Sequence, residues 1–242
     1  IKNAGEALVR EGIQNSLDAR LDKDAGVARV RIYVSGKRGA IAARDMERWT
    51  DGIWPHLHAP KNGLKQGMFS QAGPCSYLAF EDFETTGLTG DAECCEAVEG
   101  DKNAFFYFFR AEGKTEKSGD DRGRWGIGKQ VFPRSSRAQM YFGYTETDVA
   151  SLLMGGCILK YHKVGDVTLK PDGYFGLQKE IDGDQFTIPA SDPEVIDAFR
   201  KTFRLKRIKG ERGLSIVVPW LDEGDEDSRA AFDRTTLCLS VL

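Results

Sequence analysis

An α+β fold, one mostly antiparallel sheet with helices packed on one face, is the class this sequence predicts. Three observations predict it. The first stretch, "LVREGIQNSLDAR" (Leu8 to Arg20), has helical spacing of its aliphatic residues. Several short β-branched and aromatic runs follow, separated by turn residues. A second helix, "DPEVIDAFRKTF", stands between two of those runs instead of alternating strictly with them.

Taken in order, residues 3–22 form the first helix. "VARVRIYVSG" (Val27 to Gly36) alternates and reads as a strand. Asp45 to Trp54 is a short helix, and His56 to Pro74, rich in Gly, Pro, Asn and Gln, is a long loop. "CSYLAFEDF" (Cys75 to Phe83) is a buried strand running into the turn "ETTGLTGD". Asp91 to Arg122 is charged and irregular apart from "FFYFF" (Phe105 to Phe109), and is expected to be a cover with one helix. "GRWGIGKQVFPRSS" (Gly123 to Ser136) is a glycine-rich turn opening a helix. "AQMYFGYT", "GCILKYHKV", "YFGLQK" and "GLSIVVPWL" add strands. The helix Asp192 to Phe203 takes Asp192 as N-cap and Pro193 in its first turn.

The first helix carries a polar stripe that needs an explanation. Glu11, Asn15 and Asp18 sit at i, i+4 and i+7, within an arc of roughly 60°, while Val9, Ile13, Leu17 and Leu21 fall on the other side. A solvated surface stripe is one reading. It is opposed by the lack of Lys and Arg in the stripe, and by the poor fit of Asn and Asp to helix interiors. The other reading is a wall of a site: two carboxylates and an amide oxygen suit a hard cation and a water to be activated.

Composition sets the bounds. The chain has 242 residues and a formal net charge of −3, a balance that predicts neither general nucleic-acid nor membrane affinity. No apolar run has the length to cross a bilayer. Five cysteines without a C-x-x-C argue against a disulfide framework or structural zinc and fit a reducing cytoplasm. The chain begins at Ile1 close to a helix and ends on "LCLSVL", which suggests a piece of a larger protein. Residues 1–220 are read as one domain, and 221–242 as an acidic linker leading into a helix.

Three segments carry the chemistry jointly. They are E-x-x-x-N-x-x-D-A (Glu11, Asn15, Asp18, Ala19), the strand end "EDFETTGLTG" with Asp82 at its tip, and "GRWGIGK", a G-x-x-G-x-G made by Gly123, Gly126 and Gly128. No βαβ unit surrounds the last, and it lacks a P-loop pattern. In this order the three segments resemble the GHKL ATPase superfamily, which includes gyrase B subunits, the ninety-kilodalton heat-shock chaperones, MutL, MORC proteins and histidine kinases. The turn and the glycine run look closest to MORC-like and bacterial conflict-system members.

That resemblance implies the Bergerat fold, a two-layer α/β sandwich with ATP on its open face. It implies Glu11 as the base activating the attacking water and Asn15 as the Mg²⁺ ligand. Asp18 would support the pocket, and Asp82 would accept a hydrogen bond from the adenine amine. Gly87 would lie in the turn against the base, and Gly123, Gly126 and Gly128 would wrap the phosphates. Read from the residues alone, Thr85 and Thr86 either contact the nucleotide or cap the turn, and Lys129 either reaches a phosphate or is an exposed first-turn lysine. Two positions depart from the family pattern. Glu84 stands where the first glycine of D-x-G-x-G stands. Gly213-Leu214-Ser215 stands where Gly-Thr is usual, so Ser215 is expected to supply the hydroxyl. The resemblance further implies slow ATP hydrolysis, lid closure and an ATP-dependent homodimer. It places the module in a larger DNA-handling or defence protein whose DNA or protein partner is met through other domains. The alternative is a nucleotide-gated binding module with little hydrolysis.

Other residues have plainer readings. "RKTFRLKRIKGER" (Arg200 to Arg212) is expected to be a solvated basic face, with nucleic-acid phosphate contact as the alternative. His56 and His58 read as loop histidines and His162 as structural. "FFYFF" reads as core or lid packing.

Overall fold

The computed structural model describes residues 4–22, 27–94, 96, 102–111, 131–181 and 183–222. Helix α1 spans Ala4–Asp18, strand β1 Arg29–Val34, α2 Ala43–Thr50, α3 Trp54–Leu57 and β2 Tyr77–Phe83. Then come α4 Ala104–Phe109, α5 Val131–Arg134, β3 Met140–Glu146 and β4 Ser151–Ile158. β5 His162–Val164 pairs with β6 Val167–Leu169, and β8 Leu177–Ile181 with β9 Asp184–Ile188, as two small hairpins. β7 Asp172–Phe175, α6 Pro193–Thr202 and β10 Gly213–Pro219 complete the order.

The main sheet has six strands in the order β1-β2-β10-β3-β4-β7. All five strand pairings are antiparallel. β10 enters between β2 and β3, with Val217 opposite Ala79 on one side and Phe142 on the other.

Helices cover both faces of this sheet, which corrects the expectation of helices on one face. β2 is buried at every position, so neither of its faces can meet water. Tyr77, Ala79, Phe142, Tyr144 and Val217 pack with α2, α3 and α6. Leu78, Phe80, Tyr141, Ile216 and Val218 pack with α1, α4 and α5. On the first face, Phe142, Phe199 and Phe203 are fully buried, each contributing about 1.5–3 kcal/mol relative to exposure. The α6 N-cap is as expected: the Asp192 carboxylate accepts from the Glu194 N–H at 2.8 Å, with Pro193 following.

Helix α1 lies on its side differently from the expected apolar face. Leu17 and Leu21 are exposed, whereas Leu8, Val9 and Ser16 are fully buried. The reason is close approach. A Cβ on Gly12 would stand 2.6 Å from the Phe80 ring, so the missing side chain lets α1 settle onto β2 one turn before Ser16. Small residues, rather than the largest ones, select the buried face of α1.

One further expectation changes. His56 lies on α3 and is not a free loop residue: its Nδ1 is 3.0 Å from His162 Nε2 across 106 positions of sequence. Burial, then the neighbouring His162, holds the His56 pKa below its ordinary value. As pH falls through about 6.5 the unfolded chain therefore takes up this proton before the folded one. The contribution of the neutral pair is intact above that pH and lost below it. His56→Phe is expected to show a shallower loss of melting temperature between pH 7.5 and 5.5 than the parent. An equal slope in thermal melts would remove the pair from the pH response.

Cys75, Cys94 and Cys157 are free thiols. Burial pushes both Cys75 and Cys157 up to about 12, so they stay protonated and unreactive. Among the described residues, no helix is long and apolar enough to cross a membrane.

Candidate functional site

The sequence places Asp82 at the end of β2, where the strand leaves the sheet. Its side chain falls on the α1 face together with Leu78 and Phe80, because strand residues alternate. Burial there demands partners. Thr85 Oγ1 donates to Asp82 Oδ1 at 2.7 Å and the Leu214 N–H donates to the same oxygen at 2.7 Å. The Ser16 hydroxyl, from α1, lies 3.0 Å from Oδ2 and shares its proton with the Gly12 carbonyl at 2.9 Å. Oδ2 thus keeps one acceptor position without a partner among the described residues.

Two backbone hydrogen bonds tie the turn after β2 to the end of α1. The Leu21 N–H donates to the Glu84 carbonyl at 3.2 Å, and the Thr86 N–H donates to the Ala19 carbonyl at 2.8 Å. Glu84 adopts φ 62° and is exposed. The turn therefore requires the left-handed conformation that a glycine would accept more easily. Glu84→Gly is expected to stabilise by about 0.5 kcal/mol, the relief of the left-handed backbone slightly exceeding glycine's entropy loss. The corresponding rise in melting temperature is about 1–2 °C; a fall would show that the Glu84 side chain contributes.

Gly87, at φ 66°, is required for a second reason. A Cβ there would stand 2.6 Å from Thr145 Oγ1 and 2.7 Å from the Glu146 carbonyl. Thr145 fastens this turn: its hydroxyl accepts from the Leu88 N–H at 2.8 Å and donates to the Gly213 carbonyl at 3.2 Å.

Between these elements lies a cavity of about 180 Å³. Asn15, Asp18, Asp82, Thr86 and Gly87 all line it. Phe80, Leu88, Phe132 and Ile216 supply apolar walls. The volume is below that of a typical drug-sized ligand site and suits one flat ring system. Such a ring could place a donor against Asp82 and its faces against the apolar walls. The α4 residues Ala104, Tyr107 and Phe108 also line the cavity, so "FFYFF" contributes to the site as well as to the core.

Not every expected residue arrives. Ser215 is a correction. It lies on the opposite sheet face, buried, where its Oγ accepts from Arg207 Nε at 3.0 Å and donates to Glu81 at 3.2 Å. Leu214 faces the cavity instead, because β10 aligns Ser215 with Glu81 and strand neighbours alternate. Glu11 is half-buried and does not line the cavity. Asp18 is exposed at its edge, accepting from Gln14 Nε2 at 3.0 Å. Gly123, Gly126, Gly128 and Lys129 lie outside the described residues.

Arg207 is the residue the sequence concealed. The basic run Arg200 to Arg212 is not wholly solvated: Arg207 is fully buried. It donates to the Leu214 carbonyl at 2.9 Å, the Glu211 carbonyl at 2.7 Å and the Asp82 carbonyl. Its face covers Phe83 at 4.7 Å. Burial pulls its pKa below the ordinary arginine value, while Asp82 and then Glu81 oppose the shift. Glu81 lies beneath it, accepting from Arg31, from the Lys206 N–H and from the Arg207 N–H at 3.1 Å. This network fixes the backbone on both sides of the Asp82–Leu214 pair.

Compared with protein-family models and with curated protein sequences, the chain matches none.

Proposed function

We propose that this chain is a GHKL-type ATP-binding module that hydrolyses ATP slowly. The observation that carries this reading is the convergence on one small cavity of Asn15 and Asp18 from α1, Asp82 from β2, and Thr86 and Gly87 from its turn. The cavity suits the base alone. The triphosphate would extend toward the α1 edge that carries Asn15.

The open acceptor position on Asp82 Oδ2 would take a hydrogen bond from the adenine amine. Asn15 would offer an amide oxygen to Mg²⁺. One oxygen ligand on the protein fits an ion that keeps several waters and binds through substrate phosphates, and Mg²⁺ would supply charge neutralisation of those phosphates. Glu11, one helical turn before Asn15, would orient and deprotonate the attacking water. The glycine-rich lid, a homodimer formed on its closure, and a place in a larger DNA-handling or defence protein belong to this same reading.

A second reading, nucleotide-gated binding with little turnover, is favoured by the altered turn after β2, where Glu84 stands in a left-handed conformation at the place of the family's glycine. One experiment separates the two. Mg-ATP is titrated calorimetrically into the parent and into Glu11→Ala, and phosphate release is followed for both. The first reading expects binding in both proteins and release at least about 100-fold slower in the variant. Equal release would end the role of Glu11, and release too slow to follow in both, with binding kept, would favour the second reading. Absence of binding in the parent would overturn both.

A further inference from the structure

The sheet face opposite Asp82 holds a larger cavity. It measures about 760 Å³, within the range of small-molecule sites. Its floor is strands β3, β4 and β7, and it is bounded by α2, α3 and the β5–β6 hairpin. Trp49, Phe142 and Phe175 pack on one another as an aromatic wall, with Trp49–Phe175 centroids 5.9 Å apart and Phe142–Phe175 centroids 5.5 Å apart, and Phe175 is the one of the three that stays partly exposed. Gly173 leaves space in the wall: a Cβ there would meet nothing nearer than Cys157 at 3.9 Å. The rim carries Arg48 and Lys170 against Asp51 and Asp172, so opposite charges balance and no net ligand charge is selected.

The polar character of the interior follows from the histidine pair. His162 Nδ1 is 2.8 Å from the Lys160 carbonyl. A carbonyl only accepts, so His162 Nδ1 carries the proton and, in the neutral ring, Nε2 is a lone pair. His56 Nδ1, 3.0 Å from that lone pair, must then be the donor. The remaining nitrogen of His56, Nε2, is an acceptor, and it has no hydrogen-bond partner among the described residues. His56 lines the cavity.

From this geometry we infer that the α2–α3 face is a second ligand site, taking an uncharged aromatic molecule that carries one hydrogen-bond donor. The ring lies against Phe175 on the aromatic wall, and its O–H or N–H donates to His56 Nε2. The inference is independent of nucleotide binding, which uses the other face.

The test uses 2-naphthol against 2-methoxynaphthalene, followed by backbone amide shifts in the whole chain. The expected result is saturable binding of 2-naphthol with shifts centred on α2, α3 and β7. The methyl ether, which cannot donate, should bind on the order of tenfold more weakly. His56→Phe should lose that discrimination. Gly173→Leu, whose side chain enters the cavity from an edge strand, should abolish binding of both probes while leaving Mg-ATP titration as in the parent. Equal affinity for the two probes, unchanged binding in Gly173→Leu, or no binding of 2-naphthol would each overturn the inference. Because the readout is on the aromatic probes, failure of the ATP reading leaves it standing, and the reverse.

Discussion

Asp82→Asn is expected to reduce Mg-ATP affinity at least about 100-fold, through loss of an acceptor in a dry, apolar pocket. The carboxylate is acceptor-only, and three groups already donate to it: Thr85, the Leu214 N–H and Ser16. An amide in its place must turn one NH₂ toward a donor or toward the ligand amine, and either arrangement sets two donors face to face. The same substitution should lower stability by about 2–4 kcal/mol, since one buried donor is orphaned and Arg207 loses a nearby anion. Calorimetry and a urea titration read the two effects separately. A folded variant that binds Mg-ATP as the parent does would remove Asp82 from base recognition. Thr85→Val serves as the control, because it removes one donor to Asp82 without altering the ligand-facing oxygen.

The second large effect is at Arg207. Arg207→Met is expected to destabilise by about 3–5 kcal/mol, because a buried charge network is broken by removal of one member. The methionine retains apolar volume over Phe83 but leaves the Asp82, Leu214 and Glu211 carbonyls and the Ser215 hydroxyl without their donor. Arg207→Lys keeps the charge and loses the planar fork, so it should recover less than half of the lost stability. The urea midpoint is the measurement. A midpoint in Arg207→Met equal to that of the parent would show that the buried fork contributes nothing net.

Much of the candidate site could be read from periodicity. Asn15 and Asp18 share a helix edge because i+3 and i+4 spacings do, and Asp82 sits near a strand end because "CSYLAFEDF" is apolar from Tyr77 to Phe80 and turns polar after it. The turn residues Thr86 and Gly87 follow from their place after it. What could not be read depended on parity or distance. Ser215 and Leu214 differ by one position, and only the pairing of Ser215 with Glu81 decides which of them faces the cavity. The buried side of α1 was hidden because Gly12 and Ser16 do not count as hydrophobic, although they admit Phe80 and reach Asp82. Arg207 resembles its solvated neighbours in sequence, and His56 meets His162 only after the chain has folded back.

The fold was legible as strands and helices but not as layers. Within "CSYLAFEDF" and "AQMYFGYT", Tyr77–Phe80 and Met140–Phe142 are apolar on both parities, and that implies cover on both faces of the sheet. The short length of α2, α3 and α5, of 8, 4 and 4 residues, concealed the elements that provide it.

The central place of β10 has a consequence for how the chain folds. β3 with β4 can close as a local hairpin, and β1 with β2 can close as a second unit across a longer loop, Val34 pairing with Leu78. Neither unit can join the other until residues 213–219 slot between them, across a separation of more than sixty residues on each side. Non-local closures of this kind slow folding and leave unpaired strand edges exposed meanwhile. The edge of β2 that waits for β10 is the one that ends in Asp82. The site is therefore complete only after β10 has joined β2, and a ligand that binds it acts on the molecule only once the two halves are joined.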